Sequence, residues 1–297
     1  MRRREFVKNS ALAGLTGSLA MPAARALFSE RLSASGKRFR ISLAAWSVHK
    51  AFFAGDMKMI DQPAFCREMG IEGLELVNSF FPSPQYAYLQ EFRRAARENG
   101  VETLLIMCDR EGDMAHPERR DRMQASKNHR KWVDIAHTLG CHSIRCNSGS
   151  GRRGDKQAIQ RAAESFYPLC EYAAQAGLNV VIENHGGLSS FADDLIQLME
   201  AVGLPNFGTL PDFGNFPEGI DRYQSVKKMM PYAKAVSAKC YDFDPQSGEE
   251  TKIDYTKMMD IVLSSGYSGW VGIEYEGGRL SEKEGVAACR KLLERFQ

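Results

Sequence analysis

Three stretches of this chain end a short apolar run in a carboxylate. Residues 178–187, Leu-Asn-Val-Val-Ile-Glu-Asn-His-Gly-Gly, deliver Glu183, Asn184 and His185 to a pair of glycines. The apolar segment from Phe207 leads into Pro-Asp-Phe-Gly-Asn at 211–215 and presents Asp212; Gly-Ile-Glu-Tyr-Glu-Gly at 272–277 presents Glu274 and Glu276. Each reads as a buried parallel strand with polar groups at its C-terminal end. Side chains alternate across a strand, so Glu183 and His185 share one face and Asn184 takes the other. By the same period Glu274 pairs with Glu276, and Ser237 with Lys239 in Val-Ser-Ala-Lys. A carboxylate at the end of an apolar strand is costly to bury alone, and three brought together repel. A divalent cation removes that conflict. An all-oxygen set suits Mg²⁺ or Mn²⁺, whereas zinc or cobalt would favour more imidazole. The alternative is a metal-free polar core in which Lys239 and Arg145 pair with the acids.

The elements that must position these groups follow one pattern: short apolar strand, polar loop, amphipathic helix. Strands are expected at 41–47, 73–78, 101–109, 142–147, from 178, and at 207–213, 233–241 and 270–276, with a helix after each. Gly100 and Gly140 are expected helix stops. Eight such units in 297 residues match a single (β/α)8 TIM barrel, about 250 residues in its usual form. An open doubly wound sheet would carry Gly-x-Gly-x-x-Gly after the first strand, and residues 47–55 have nothing of the kind. The α/β barrel reading assigns 41–297 to one domain and puts the site at the C-terminal ends of the strands. There Arg145 and Asn147, Glu75, Asp109 and Trp46 join the groups above. Trp46 has an aromatic face for a sugar. His185 can reach a hydroxyl, and Lys239 either a substrate oxygen or Glu274 and Glu276. His49, Phe52 and Phe53 are expected in a mobile loop at the mouth.

These motifs carry a resemblance. In Ile182-Glu183-Asn184-His185, Asp212-Phe213-Gly214-Asn215, Val236 to Lys239 and Gly272 to Gly277 the chain resembles the sugar phosphate isomerase/epimerase family, the xylose isomerase-like barrels, from about residue 40 to the C-terminus. The resemblance implies one divalent metal (Mn, Mg, Co or Zn), held by Glu, Asp, His and Glu from strands five to eight; Glu183, Asp212 and Glu274 fill three of the places. It also implies that Glu183 and Glu274 flank a sugar, one taking a proton beside a carbonyl and the other returning it. His185, Lys239, Arg145, Asn215 and Trp46 are the expected substrate contacts. The chain departs from the family twice: Ser237 stands where the seventh-strand His is expected, and Asn215 three residues after Asp212 replaces another His. The implied activity is a sugar or cyclitol isomerase or epimerase. The alternatives are a lyase or dehydratase on a keto-sugar or keto-glycoside using the same enolate, or a non-catalytic carbohydrate-binding barrel. A repair nuclease of the endonuclease IV type would want a histidine-rich cluster, and the whole chain has six histidines.

The first 26 residues have the order of a secretory signal: basic Arg2 to Lys8, a short apolar run from Ala11 to Met21, and Ala24-Arg25-Ala26 as a small-residue cut. Paired arginines before Phe6-Val7-Lys8 resemble a twin-arginine signal, with Arg2 where Ser or Thr is usual. Residues 27–40 are a polar lead-in. Removing 1–26 takes five basic residues and one acid from totals of 39 and 37, leaving 34 and 36, a net charge of −2. That near-neutral balance argues against nucleic acid or an anionic membrane as partner. No apolar run reaches the roughly 20 residues of a membrane span. The seven cysteines form no Cys-x-x-Cys pair and are expected as core. The chain is therefore expected to be exported to the periplasm or beyond, where a small unphosphorylated carbohydrate is the partner. Self-association into a homo-oligomer stays open.

Overall fold

A computed structural model describes residues 36–297. The expected signal at 1–26 and residues 27–35 of the lead-in lie outside them. Phe39–Gln297 form one compact unit. Its strands are β1 (Arg40–Ala44), β2 (Gly73–Val77), β3 (Glu102–Cys108), β4 (Ser143–Cys146), β5 (Asn179–Glu183), β6 (Phe207–Leu210), β7 (Val236–Cys240) and β8 (Trp270–Tyr275). They form one parallel sheet in the order β6-β5-β4-β3-β2-β1-β8-β7. Parallel bridges Thr209–Ala233 and Asp212–Ser237 join the two outermost strands, so the sheet curls back on itself as in a TIM barrel.

The helices are α1 (His49–Ala54), α2 (Gln62–Glu68), α3 (Tyr86–Glu98), α4 (Arg119–Leu139), α5 (Lys156–Gln175), α6 (Ala192–Val202), α7 (Arg222–Met229), α8 (Tyr255–Ser264) and α9 (Glu282–Glu294). Several begin where a side chain satisfies the free N–H groups of the first turn. Asp155 accepts from Ala158, Asp221 from Tyr223 and Gln224, and Asp254 from Lys257. Ser281 and Glu284 cap α9 reciprocally. Gly140 ends α4 in the left-handed conformation that its position forecast.

Two faces of the sheet divide the work. Val180, Ile182, Val236, Ala238, Val271 and Ile273 form part of the apolar core, together with buried helix residues such as Leu195 and Met258. The alternate residues turn polar groups inward: Ser42, Glu75, Arg145, Glu183, Ser237, Lys239 and Glu274 are all buried. Ser42 donates to Glu75 at 2.6 Å. Glycine is required at 272, where a Cβ would collide with the Glu75 carboxyl. Burial pushes the Glu75 carboxyl up to about 7, Ser42 opposing the rise and Glu274 adding to it. All seven cysteines are buried and unpaired, as core residues. Among the described residues no helix is long and apolar enough to cross a membrane.

The strands stop earlier than the apolar runs suggest. β6 ends at Leu210 because Pro211 has no N–H for the next rung. β1 ends at Ala44, where Ala45–Val48 wind into a short 3₁₀ turn. The expected mobile loop beyond it is the helix α1. Glu282, at the start of α9, accepts from the N–H groups of Lys50 and Ala51 at 2.7 and 3.0 Å and ties that helix down.

Candidate active site and metal centre

Glu183 leaves the end of β5 and Glu274 lies in β8. Asp212 comes just past β6, held by the bridge to Ser237. The three carboxylates are buried, and each offers an oxygen within 4.8 Å of the others. Strand alternation foresaw their common direction; the curl of the sheet brings them together.

Cations stand at two edges of this group. Arg145 donates through Nη1 to Asp109 at 2.8 Å, and its Nε lies 3.0 Å from Glu183 Oε2. The second contact is an ion pair without hydrogen-bond direction, so Glu183 Oε2 is buried and accepts no hydrogen bond. Lys239 donates to Glu274 Oε1 at 2.9 Å and to Glu276 Oε2 at 3.1 Å. The salt bridge considered for Lys239 is therefore present, to both glutamates. Gly214 makes room for it, since a Cβ there would strike the Lys239 stem.

Ser237 Oγ lies 2.7 Å from Asp212 Oδ2 and 2.9 Å from Glu274 Oε2. A hydroxyl has one proton to give. It can donate to one carboxylate only, so the other must bring a proton, or a cation must take its place. Electrostatics agree. Burial pushes Glu183 up to about 8, with Arg145 opposing and Glu274 and Asp212 adding. Burial likewise pushes Asp212 up to about 6, against the pull of Lys239. Lys239 itself is raised: its desolvation is outweighed by Asp212, Glu274 and Glu276. The site holds more negative charge than its two cations balance. Hard oxygen donors and that excess charge fit a small divalent cation on Glu183, Asp212 and Glu274.

The remaining expected residues spread around this centre. Asn215 donates through Nδ2 to Glu183 Oε1 at 2.8 Å and so braces a carboxylate. Trp46 donates to Glu276 Oε1 at 2.6 Å and stacks on His49 and Phe80, at 4.7 and 6.1 Å between ring centres. Burial raises Glu276, but Lys239 and Trp46 outweigh it and hold the carboxyl below its usual range. His185 is exposed at the mouth, its basicity lowered by desolvation and by Arg145. It lines a cleft of about 430 Å³ with Gly186, Ser190, Gly214, Asn215, Phe216 and Pro217.

Sequence reasoning missed three partners. The sequence places Ser237 where the family's histidine stands and does not show that it bridges two acids. The Trp46–Glu276 bond joins residues 230 positions apart and leaves no local signal. Asn184 was placed on the opposite face from Glu183 and given no role, yet it is fully buried and bonded to the Asp212 backbone.

The family described as xylose isomerase-like TIM barrel matches over residues 63–295. Among solved structures, the chain is similar to an L-ribulose 3-epimerase, with a TM-score of 0.72 and 14% identity, covering 87% of this chain and 94% of the other. It is also similar to a xylose isomerase domain protein from Planctomyces limnophilus, with a TM-score of 0.68 and 16% identity over 87% and 96% of the two chains. The probable 3-DHS dehydratase AsbF from Bacillus anthracis matches with a TM-score of 0.68 and 19% identity over 86% and 99%. Likeness at these identities establishes the fold alone. No curated protein matches the chain.

Proposed function

The chain belongs to the xylose isomerase-like TIM barrel family, and on that premise we propose that it is an exported sugar isomerase or epimerase that moves a proton beside a carbonyl with the help of a divalent cation. One observation carries the reading: Glu183, Asp212 and Glu274 meet as buried carboxylates from three different strand ends. Export rests on the twin-arginine-like order of residues 1–26 and is checked by N-terminal sequencing of the secreted protein.

Glu183, Asp212 and Glu274 would hold the cation, with Ser237 beside two of them. Such an ion supplies Lewis acidity at a carbonyl. The protein does the rest. Glu183, with Asn215 on Oε1 and Arg145 beside Oε2, takes the proton from the carbon next to the carbonyl. Glu274 is the partner that returns a proton from the other side. Lys239, bonded to Glu274 and Glu276, keeps a positive charge where the enediolate oxygen develops negative charge. His185 and the cleft beside it orient the hydroxyl-bearing end of the sugar.

The test is solvent exchange. In D₂O with Mn²⁺, ketoses and keto-glycosides should gain deuterium at the carbon beside the carbonyl. Glu183→Gln and Glu274→Gln should each slow that exchange by about 10²–10⁴-fold while far-UV circular dichroism stays unchanged. Exchange at the wild-type rate in either variant overturns the two-glutamate mechanism.

A further inference from the structure

We propose that Asn184 is the positioning residue that sets Glu183 and Asp212 relative to one another, through a closed ring of hydrogen bonds. β5 and β6 pair as far as Glu183 and Leu210. Beyond that point Pro211 cannot continue the ladder. Asn184 takes over with its side chain. Its Oδ1 accepts from the Asp212 N–H at 2.7 Å, and its Nδ2 donates to the Asp212 carbonyl at 3.0 Å and to the Asn215 carbonyl at 3.3 Å. The amide thus serves as one more rung between the strands.

The ring continues through the site itself. Asp212 Oδ1 accepts from the N–H groups of Gly214 and Asn215, each at 2.7 Å. Asn215 Nδ2 then donates to Glu183 Oε1 at 2.8 Å. Glu183 and Asn184 are consecutive in the chain, which closes the circuit. Two carboxylates of the triad are therefore fixed against each other, although 211–215 is a loop, the kind of segment that is otherwise the most mobile. The Asn184 amide is fully buried and bonded to backbone groups of Asp212 and Asn215, so its part is positioning rather than contact with the reacting atoms. This inference rests on the reading of the triad as a cation site.

Asn78 supplies the matched control. Its Nδ2 donates to the Asp109 carbonyl at 2.9 Å and its Oδ1 accepts from the Asp109 N–H at 3.1 Å. It makes the same two-bond clamp, on an aspartate outside the triad.

The experiment uses the full chain and two readouts. Mn²⁺ binding is titrated through the paramagnetic resonance signal of the free ion. Asn184→Ala and Asn215→Ala should each weaken binding by about 10–100-fold, as loss of an outer partner of a metal ligand does. The double variant should bind no more weakly than the worse single, because both cut the same ring. Asn78→Ala should stay within about twofold of wild type. The second readout is amide hydrogen exchange in metal-free protein. The Gly214 and Asn215 N–H groups should exchange at least about tenfold faster in Asn184→Ala and unchanged in Asn78→Ala. Wild-type Mn²⁺ affinity in Asn184→Ala, or equal losses in Asn184→Ala and Asn78→Ala, overturns the proposal. So does unchanged exchange at Gly214 and Asn215. Should Asn184→Ala fail to fold, Asn215→Ala carries the test, since it leaves the clamp intact; wild-type affinity there overturns the ring. A wild-type protein that binds no Mn²⁺ defeats the cation reading instead, and the exchange readout then decides the ring alone.

Discussion

Two aspartates of this barrel are held by the same device, yet their carboxyls are shifted in opposite directions. Asn78 clamps the backbone of Asp109 past β3, and Asn184 clamps that of Asp212 past β6. The Asp109 side chain is a third exposed and receives hydrogen bonds from Arg145 and Asn147. Burial raises its carboxyl, but Arg145 and Asn147 outweigh that and hold it below its usual range. Asp212 is wholly buried, shares Ser237 with Glu274, and is pushed up to about 6. A shared backbone brace therefore does not decide proton affinity. The partners and water available to the carboxylate do.

The widest separation of the two regions should come with metal. At a hundredfold excess over its dissociation constant, Mn²⁺ should stabilise the wild-type chain by about 2.7 kcal/mol. For a domain of this size that raises the melting temperature by about 5–10 °C. Asp212→Asn should lose the gain and Asp109→Asn should keep it; equal responses in calorimetric melts break the comparison. Next in size is the metal-free protein. Asp109→Asn strips Arg145 of its charged acceptor and should cost about 1.5–3 kcal/mol. Asp212→Asn removes a carboxyl that burial disfavours when charged, and should raise stability, on the order of 1 kcal/mol. Effects of the same sign, read from urea melts, refute the contrast.

The smallest test is pH. Asp212 and Glu183 have folded values of about 6 and 8, above the ordinary 3.8 and 4.5. Across the interval between those values the native state holds protons that the unfolded chain has released, so stability falls as pH rises. Glu75, at about 7, adds to that trend, and His142, held near 4 by burial, opposes it below its ordinary 6.5. Asp109 acts in reverse: its stabilisation is present above 3.8 and is lost as pH falls further. Metal-free wild type should therefore melt lower at about pH 8 than at about pH 6.5. Glu183→Gln should flatten that fall, Asp212→Asn should flatten the part below about 6, and Asp109→Asn should leave both in place. A melting temperature that climbs from about pH 6.5 to pH 8 contradicts the assignment.

Much of this arrangement was legible along the chain. The barrel, the strand ends and the three acids follow from local pattern: apolar runs of strand length, period-two alternation, and polar groups where the runs stop. The seven cysteines, in strands, helices and one loop, are all core. Contacts between residues distant in sequence were not legible. Asn215, expected on substrate, also braces Glu183, 32 positions away. Trp46, expected to offer an aromatic face, also bonds Glu276 through its indole N–H, which no local signal shows. The loop expected after β1 is a helix because Glu282, from the other end of the barrel domain, caps it.

The sequence by itself determined which side chains lie on the inner face of each strand and which strand ends carry charge, because backbone alternation is a property of neighbours. Only the tertiary structure decided that Ser237 bridges two carboxylates, that Asn184 extends a ladder Pro211 had stopped, and that the Asp212 carboxyl is pushed up while that of Asp109 is held down. Those outcomes depend on strand register and on how far the curled sheet removes each group from water, and both are set by contacts between segments the sequence keeps apart.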